Sequence, residues 1–245
     1  MPTDISSATP ASSPAPAFNA WMAPLLALVA AYIDTLGFIA LFGLFTAHVT
    51  GNFVLIGAAF VHGGSGMTLK FLAFPAFIAG VLVAKWTHGF LSARSSTRVL
   101  KTLLALEALF LLAFAMTGIL LRPDLDANPG YTAIATGMLG ALAMGLQNGT
   151  SRLSLSSLVP TTVMTGNVTQ IVIDLVDAAS GNIIARERIR RFIPAVAGFV
   201  VGAVGGALAY VGLGFIAVLP VIAVLLVLIY IADPIIKPII TGPRQ

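Results

Sequence analysis

The sequence contains no cysteine and very little charge. None of its 245 residues is Cys, which excludes disulfides, thiol nucleophiles and cysteine-ligated metals. Charged residues make up 9% of the chain, whereas soluble domains carry about 25%. Such a chain lacks the polar surface that a soluble protein needs. With 58% hydrophobic residues and a mean hydropathy of +1.00, it is predicted to be an integral membrane protein, with the lipid bilayer as its main partner.

Catalytic and metal-binding patterns are also missing. The histidines His48, His62 and His88 are scattered and show no metal-ligand spacing. No nucleophile elbow, phosphate loop or paired-carboxylate site is present, so the sequence predicts no enzyme, no metal and no cofactor. The formal net charge of +4 comes from basic residues in short loops between apolar segments. Membrane topology explains these residues better than nucleic-acid binding does.

Long apolar runs occupy most of the chain instead. A membrane-spanning helix needs about 20 predominantly apolar residues, and six segments qualify. They are residues 21–43, 70–91, 102–121, 131–149, 193–212 and 214–232. The first 20 residues, rich in Pro, Ser and Ala, are predicted to be a disordered tail. Residues 233–245 are predicted to form a cytoplasmic C-terminal tail.

The basic residues predict the orientation in the membrane. With six spanning helices and a cytoplasmic N-terminus, ten of the thirteen Lys and Arg residues lie on the cytoplasmic side, leaving out Lys70, Lys85 and Arg122. Both termini are then cytoplasmic. Glu107 follows Lys101 by six residues and is interpreted as an acid that reaches the cytoplasmic interface.

Two polar, glycine-bearing stretches interrupt the apolar runs. They read TAHVTGN at Thr46–Asn52 and TTVMTGN at Thr161–Asn167, and they match in four of seven positions at an offset of 115 residues. A short apolar piece follows each, 53–61 and 168–179, which is too short to span as a helix. The predicted fold is an all-α membrane protein with six transmembrane helices and two re-entrant or broken segments. In the alternative with eight full crossings, one basic loop lies outside.

The two stretches divide the chain into related halves. One transmembrane domain, 21–232, is predicted to contain a first repeat at about 21–121 and a second at about 131–232. With three spanning helices in each half, the repeats enter the membrane from opposite sides. This 3+3 inverted repeat is an arrangement common in secondary transporters.

The sequence around the two stretches resembles a known family. The strings are AAYIDTLGFIALFGLFTAHVTGNFVLIG at Ala30–Gly57 and GALAMGLQNGTSRLSLSSLVPTTVMTGNVTQIVIDL at Gly140–Leu175. Both are similar to the YoaK-like family of bacterial inner-membrane proteins, which is defined by a domain of unknown function. The resemblance implies a multi-pass protein of the bacterial inner membrane and supplies no substrate.

The two motifs are predicted to form a substrate site. Irregular backbone at membrane depth survives only inside protein or along a wet cavity, so the breaks point inward. Each also begins a helix whose free N–H groups favour an anionic or strongly polar ligand. The predicted substrate-binding residues are Thr50, Gly51, Asn52, Thr165, Gly166 and Asn167, together with Gln147 and Asn148. In the alternative reading, Thr and Asn cap a re-entrant helix and Gly permits a tight turn.

Asp34 and His48 are candidates for proton coupling. Asp34 lies near the centre of the first apolar segment, where a carboxylate is costly and indicates function. His48 lies within the first motif and could relay protons. The alternative for Asp34 is a structural hydrogen bond across the bundle, to Gln147 or Asn148.

The sequence therefore predicts a small secondary transporter of a small polar or anionic solute. A channel or passive pore is an alternative from the same lining, and a non-transporting membrane scaffold is another. Gly198, Gly202 and Gly206 are spaced four residues apart, as in helix faces that pack closely in membranes. This face is interpreted as internal packing, with a homodimer contact as the alternative.

Overall fold

Most of the part of the chain that the structure describes is helical. The computed structural model describes residues 19–92, 96–121 and 129–240. The helices are α1 (Asn19–Ala40), α2 (Val49–His62), α3 (Met67–Leu91), α4 (Ser96–Leu121), α5 (Tyr131–Ser154), α6 (Met164–Ala179), α7 (Ile183–Leu213) and α8 (Leu219–Ile240). A short 3₁₀ turn, Gly214–Val218, joins the last two. The prediction of an all-α protein is confirmed.

The tails fall largely outside this description. The predicted N-terminal tail lies outside the described residues except for its last two, with which α1 begins. The backbone of α8 continues past residue 232 to Ile240, into the segment that was predicted to be a tail. Residues 241–245 lie outside the described part of the chain.

Four stretches of the described residues are long and apolar enough to cross a membrane. They are Trp21–Ala40, Met67–Leu91, Ser96–Leu121 and Ile183–Ala232. The fourth contains α7, the 3₁₀ turn and α8. The remaining long helix, α5, is less apolar because it carries Thr, Gln, Asn and several Gly residues. Much of it is buried by its neighbours, so its polar side chains need not face lipid.

The two TGN motifs each lie in the first turn of a short helix. The 14 residues of α2 and the 16 residues of α6 are about 21 and 24 Å long at 1.5 Å per residue. Both are shorter than the hydrocarbon core of about 30 Å. The breaks themselves are the non-helical segments 41–48 and 155–163, which precede the motifs.

Two helix pairs pack so closely that glycine is required. The most extensive contacts are those of α1 with α7 and of α3 with α5. A Cβ on Gly202 would meet the carbonyl oxygen of Leu28, and one on Gly206 would meet that of Tyr32. In the other pair, a Cβ on Gly145 would meet the carbonyl oxygen of Phe77. The glycine face of α7 is therefore occupied by α1 within the chain.

The remaining contacts sort the helices into two groups. One group joins α1, α6 and α7, since α6 packs against α7. The other joins α2, α3, α4 and α5, since α2 packs against α3 and α4 packs against α5. Helix α8 packs mainly against α4 and so joins the second group, and smaller contacts of α1 with α5 and α8 connect the two groups. Each group thus contains helices from both halves of the sequence.

Candidate functional site between two helix breaks

The first break is anchored by Asp34. This side chain is 5% exposed, and its Oδ1 accepts the backbone N–H groups of Thr46 at 2.7 Å and Ala47 at 2.6 Å. The N–H of His48 lies at 3.3 Å from the same oxygen. The alternative hydrogen bond from Asp34 to Gln147 or Asn148 does not form. The carboxylate instead binds the loop that follows its own helix.

Asp34 also contacts the side chain of His48. The distance between Asp34 Oδ2 and His48 Nδ1 is 2.7 Å, which makes an ion pair when the imidazole is protonated. The histidine is about one third exposed, while the acid is buried. His48 and Thr162 of the second break also border the same cavity. His48 therefore lies between the buried acid and the opposite half of the chain.

The asparagines of the two motifs make matching bonds. Asn52 Nδ2 donates to the carbonyl oxygen of Phe45 at 2.8 Å, and Asn167 Nδ2 donates to that of Pro160 at the same distance. In both cases the acceptor lies seven residues earlier. Asn52 Oδ1 also accepts the N–H of Phe45 at 2.9 Å. Both asparagines are 1% exposed, so they hold the preceding loop in place.

The second break is held through α5. The hydroxyl of Thr162 donates to Asn148 Oδ1 at 2.7 Å. Gln147 turns away from the break, and its Nε2 donates to the carbonyl oxygen of Leu26 in α1 at 2.7 Å. The two neighbouring amides thus have different contacts, although both were predicted to bind substrate.

A partly open cavity of about 590 Å³ lies between the two breaks. Its lining comes from the first break and α2, from α3, α5 and α7, and from the second break and α6. The lining residues are Ala47, His48, Val49, Thr50, Phe74, Phe77, Asn148, Thr162, Val163, Met164, Thr165 and Phe199. The first turns of α2 and α6 therefore meet at one cavity.

Four of the predicted site residues line this cavity. They are His48, Thr50, Asn148 and Thr165. The predicted residues that do not line it are Asp34, Gly51, Asn52, Gln147, Gly166 and Asn167. Of the three motif positions, threonine thus faces the cavity while asparagine binds backbone behind it. Neither motif glycine has a positive φ, so the reading that they permit a tight turn does not apply.

Three aromatic residues and one hydroxyl on the wall were not predicted. Phe74 and Phe77 of α3 and Phe199 of α7 line the cavity, and the ring of Phe199 meets the His48 imidazole edge-on at 5.5 Å. Phenylalanine within an apolar helix gives no sign of whether it faces lipid, core or a cavity. Thr162 could have been found, because it stands one position before the partner of His48 at an offset of 115.

The charge at the cavity wall is low. Asp34 contacts the lining residue His48, and its oxygens already bind N–H groups of the first break. The N-terminal turns of α2 and α6 contribute partial positive charge at the wall. Among the described residues, no group of three His, Asp or Glu side chains is placed to hold a metal ion.

Asp174 does not line the cavity and forms an ion pair with Arg188. Its buried carboxylate accepts two hydrogen bonds from Arg188, with Nη2–Oδ1 at 2.6 Å and Nε–Oδ2 at 3.1 Å. The Arg188 guanidinium lowers the pKa of this carboxyl. The pair fixes α6 on α7.

Glu107 is not where the sequence interpretation placed it. The side chain is 0% exposed in α4, so it does not reach the cytoplasmic interface. Neither of its carboxyl oxygens has a hydrogen-bond partner among the described residues. The apolar residues around it in the sequence gave no signal of which helix face is buried.

Comparison with known proteins places the chain in a family. The family model described as "Protein of unknown function (DUF1275)" matches residues 22–231, so the chain belongs to this family. The chain is also 28% identical over 182 residues to the UPF0700 transmembrane protein YoaK of Bacillus subtilis (strain 168). That alignment covers 73% of this chain and 75% of the relative. The resemblance to YoaK-like membrane proteins is confirmed, and no solved structure matches.

Proposed function

We propose that this member of the DUF1275 family is a small secondary transporter of a small polar or anionic solute. The observation that carries the proposal is the single cavity to which the first turns of α2 and α6 both contribute. Short helices that begin at membrane depth are the device by which many transporters bind solutes. In this proposal the protein lies in the bacterial inner membrane with both termini in the cytoplasm.

An inverted repeat is part of the proposal, and the packing supports it. If α1 to α4 correspond in order to α5 to α8, the contact of α1 with α7 is the counterpart of that of α5 with α3. These are the two most extensive helix contacts in the chain. The bonds of Asn52 and Asn167 to carbonyl groups seven residues earlier also correspond. Six spanning helices and two re-entrant ones follow from this correspondence.

The chemistry of the wall indicates the class of solute. Thr50, Thr162 and Thr165 offer hydroxyl groups, and Asn148 offers an amide. Two helix N-termini favour negative charge or a strong dipole. The three phenylalanines provide an apolar side against which a carbon skeleton can pack. A small anion or polar solute with an apolar portion fits this lining.

The mechanism that we propose is a movement of the two helix groups against each other. The cavity wall contains Phe199, Met164 and Thr165 from α6 and α7, and it contains Phe74 and Thr50 from α2 and α3. These belong to different packed groups. The moving bodies in this scheme are therefore the packed groups rather than the two sequence repeats. Proton coupling in this scheme runs through Asp34 and the adjacent His48 at the wall.

Introduced cysteines test the proposal without knowledge of the solute. Because the chain has no cysteine, a single Thr50→Cys or Thr165→Cys variant carries one thiol. We expect a hydrophilic, membrane-impermeant thiol reagent to label both variants in membrane vesicles. The matched control is Gly57→Cys on α2, where an added Cβ would meet no heavy atom within 4 Å beyond its own stretch of helix. In this proposal Gly57 faces lipid. The control variant should remain unlabelled.

Labelling and solute flux together separate the alternatives. Both a transporter and a channel let the reagent reach each thiol, so flux is the measurement that distinguishes them. A channel would conduct solute in liposomes without a gradient of coupling ion. If neither Thr50→Cys nor Thr165→Cys reacts from either side, the cavity is dry. The transporter proposal would then be wrong, and a scaffold role would be favoured.

A further inference from the structure

The buried acid of α4 has no role in the cavity described above. Glu107 lies close to the middle of the 26-residue helix and is fully buried. Both of its oxygens lack hydrogen-bond partners among the described residues. An ionisable side chain inside a membrane-spanning helix is costly and marks a function by default.

The surroundings of Glu107 are apolar. Leu103, Leu104 and Leu111, one turn away on the same helix, are all fully buried. Leu103 shares a buried cluster with Leu146 of α5, the helix packed against α4. The next residue on α5, Gln147, has a buried Oε1 that also lacks a partner. An acid and an amide oxygen without partners thus lie on two helices that pack together.

No described cation donates a hydrogen bond to this carboxyl. The elements packed against α4 are α3, α5, the 3₁₀ turn and α8. The titratable groups described on these elements and on α4 itself are Lys70, Lys85, His88, Arg98, Lys101, Tyr131, Arg152 and Tyr230. Lys70 binds the carbonyl oxygens of Phe42 and Ser65. Lys85 and Arg152 are exposed.

A buried carboxyl without a cation is far more stable as the neutral acid than as the anion. We propose that Glu107 is a proton-binding site within the membrane, which holds a proton in this conformation and releases it to water when the movement of the two helix groups opens a path from water to the side chain. The O–H bond of the acid breaks in that step, and the carboxylate keeps the electron pair. In the neutral acid the hydroxyl is a donor, and Gln147 Oε1 is an acceptor of matching chemistry.

Infrared spectroscopy of the full chain in lipid vesicles tests whether Glu107 holds a proton. At about pH 8, far above the ordinary carboxyl pKa of about 4.3, we expect the C=O stretch of a protonated acid to persist. The band should vanish in Glu107→Gln and remain, displaced in frequency, in Glu107→Asp. The control is Glu187→Gln, which removes an acid half exposed beside Arg190 and Arg191 and should leave the band unchanged.

Two outcomes would overturn the proton-binding site. One is the absence of a protonated-acid band from the unmodified protein at about pH 8, which requires no variant to fold. The other is a band that survives Glu107→Gln.

Release of the proton on movement of the helix groups rests on the proposed transport function and needs its own readout. The labelling rate of the Thr165→Cys variant should change with pH, and it should lose part of that change when Glu107→Gln is added. An identical pH dependence with and without Glu107→Gln would overturn the release step. A protonated band with an unreactive Thr165→Cys supports the proton site and contradicts the transporter. A reactive Thr165→Cys without the band supports the transporter and contradicts the proton site.

Discussion

The two helix breaks have the same motif but different anchors. At the first break, a charged carboxylate, Asp34, accepts N–H groups from Thr46, Ala47 and His48. At the second, the corresponding anchor is a neutral amide, Asn148, which accepts one hydroxyl bond from Thr162. Charge-assisted hydrogen bonds are about twice as strong as neutral ones. The first break is therefore the more firmly fixed of the two.

The asparagines of the two motifs show the same difference. Asn52 exchanges two hydrogen bonds with the backbone of Phe45. Asn167 makes one with Pro160, because proline has no N–H group to donate in return. Both anchors of the second break are thus weaker. If the helix groups move, we expect the second break and α6 to move before the first.

The largest expected effect comes from removing the charged anchor. Asp34→Ala leaves three backbone N–H groups and His48 without their acceptor inside the protein. We expect it to lower the free energy of unfolding by about 3–5 kcal/mol. In a chain of this length that corresponds to a fall in Tm of about 10 °C, measured by thermal unfolding in detergent.

The matched change in the second break should cost much less. Asn148→Ala removes one acceptor from Thr162, for which we expect about 1 kcal/mol. Equal losses from Asp34→Ala and Asn148→Ala would show that the two breaks are anchored alike. The difference in hydrogen bonding between the two breaks would then not affect stability.

The second effect in size concerns the asparagines. We expect Asn52→Ala to cost about 2 kcal/mol and Asn167→Ala about 1 kcal/mol, in proportion to the hydrogen bonds lost. A Pro160→Ala background supplies the missing N–H at that position. In a double-mutant cycle, Asn167→Ala should then become more costly than in the original chain. No coupling between Pro160 and Asn167 would contradict the explanation by the missing donor.

Much of the fold could be predicted from the sequence, because membrane-spanning helices need long apolar runs. Each predicted segment lies largely on a long helix, and each TGN motif begins a short one. The contacts of the anchors could not be predicted in the same way. The alternative to proton coupling was a hydrogen bond from Asp34 to Gln147 or Asn148, which the predicted inverted repeat places at the matching position. The residue types do not predict the path of the loop at 41–48, which brings its N–H groups to the carboxylate.

The sequence also did not predict which face of a helix is buried. Glu107 follows Lys101 on an apolar helix, and the same spacing fits an acid at the interface or one in the core. Packing of α4 against α5 and α8 decides between them, and it buries the side chain. The phenylalanines that line the cavity were not predicted, for the same reason. Phe74 and Phe77 lie on a helix that also carries the exposed Phe71 and Phe90, which do not line the cavity.

The smallest expected effects are the changes in Tm on substituting alanine for the two motif glycines, and these changes differ in sign. A Cβ on Gly51 would lie 2.9 Å from Cδ2 of Phe45, so the ring must shift. A Cβ on Gly166 would make only an ordinary contact, 3.7 Å from Cγ1 of Val163. Alanine in a helical turn otherwise stabilises by up to about 1 kcal/mol relative to glycine.

Gly166→Ala should therefore raise the Tm by about 2 °C, whereas Gly51→Ala should leave it unchanged or lower it by a similar amount. The Phe45 ring also stacks against Phe38 with centroids 4.8 Å apart, which restricts how it can move. A Phe45→Leu background gives the alanine more room, so it should remove the penalty at Gly51. If Gly51→Ala and Gly166→Ala shift the Tm equally in the same direction, the first break is no more tightly packed than the second. Its firmness would then depend on the hydrogen bonds of Asp34 and Asn52 alone.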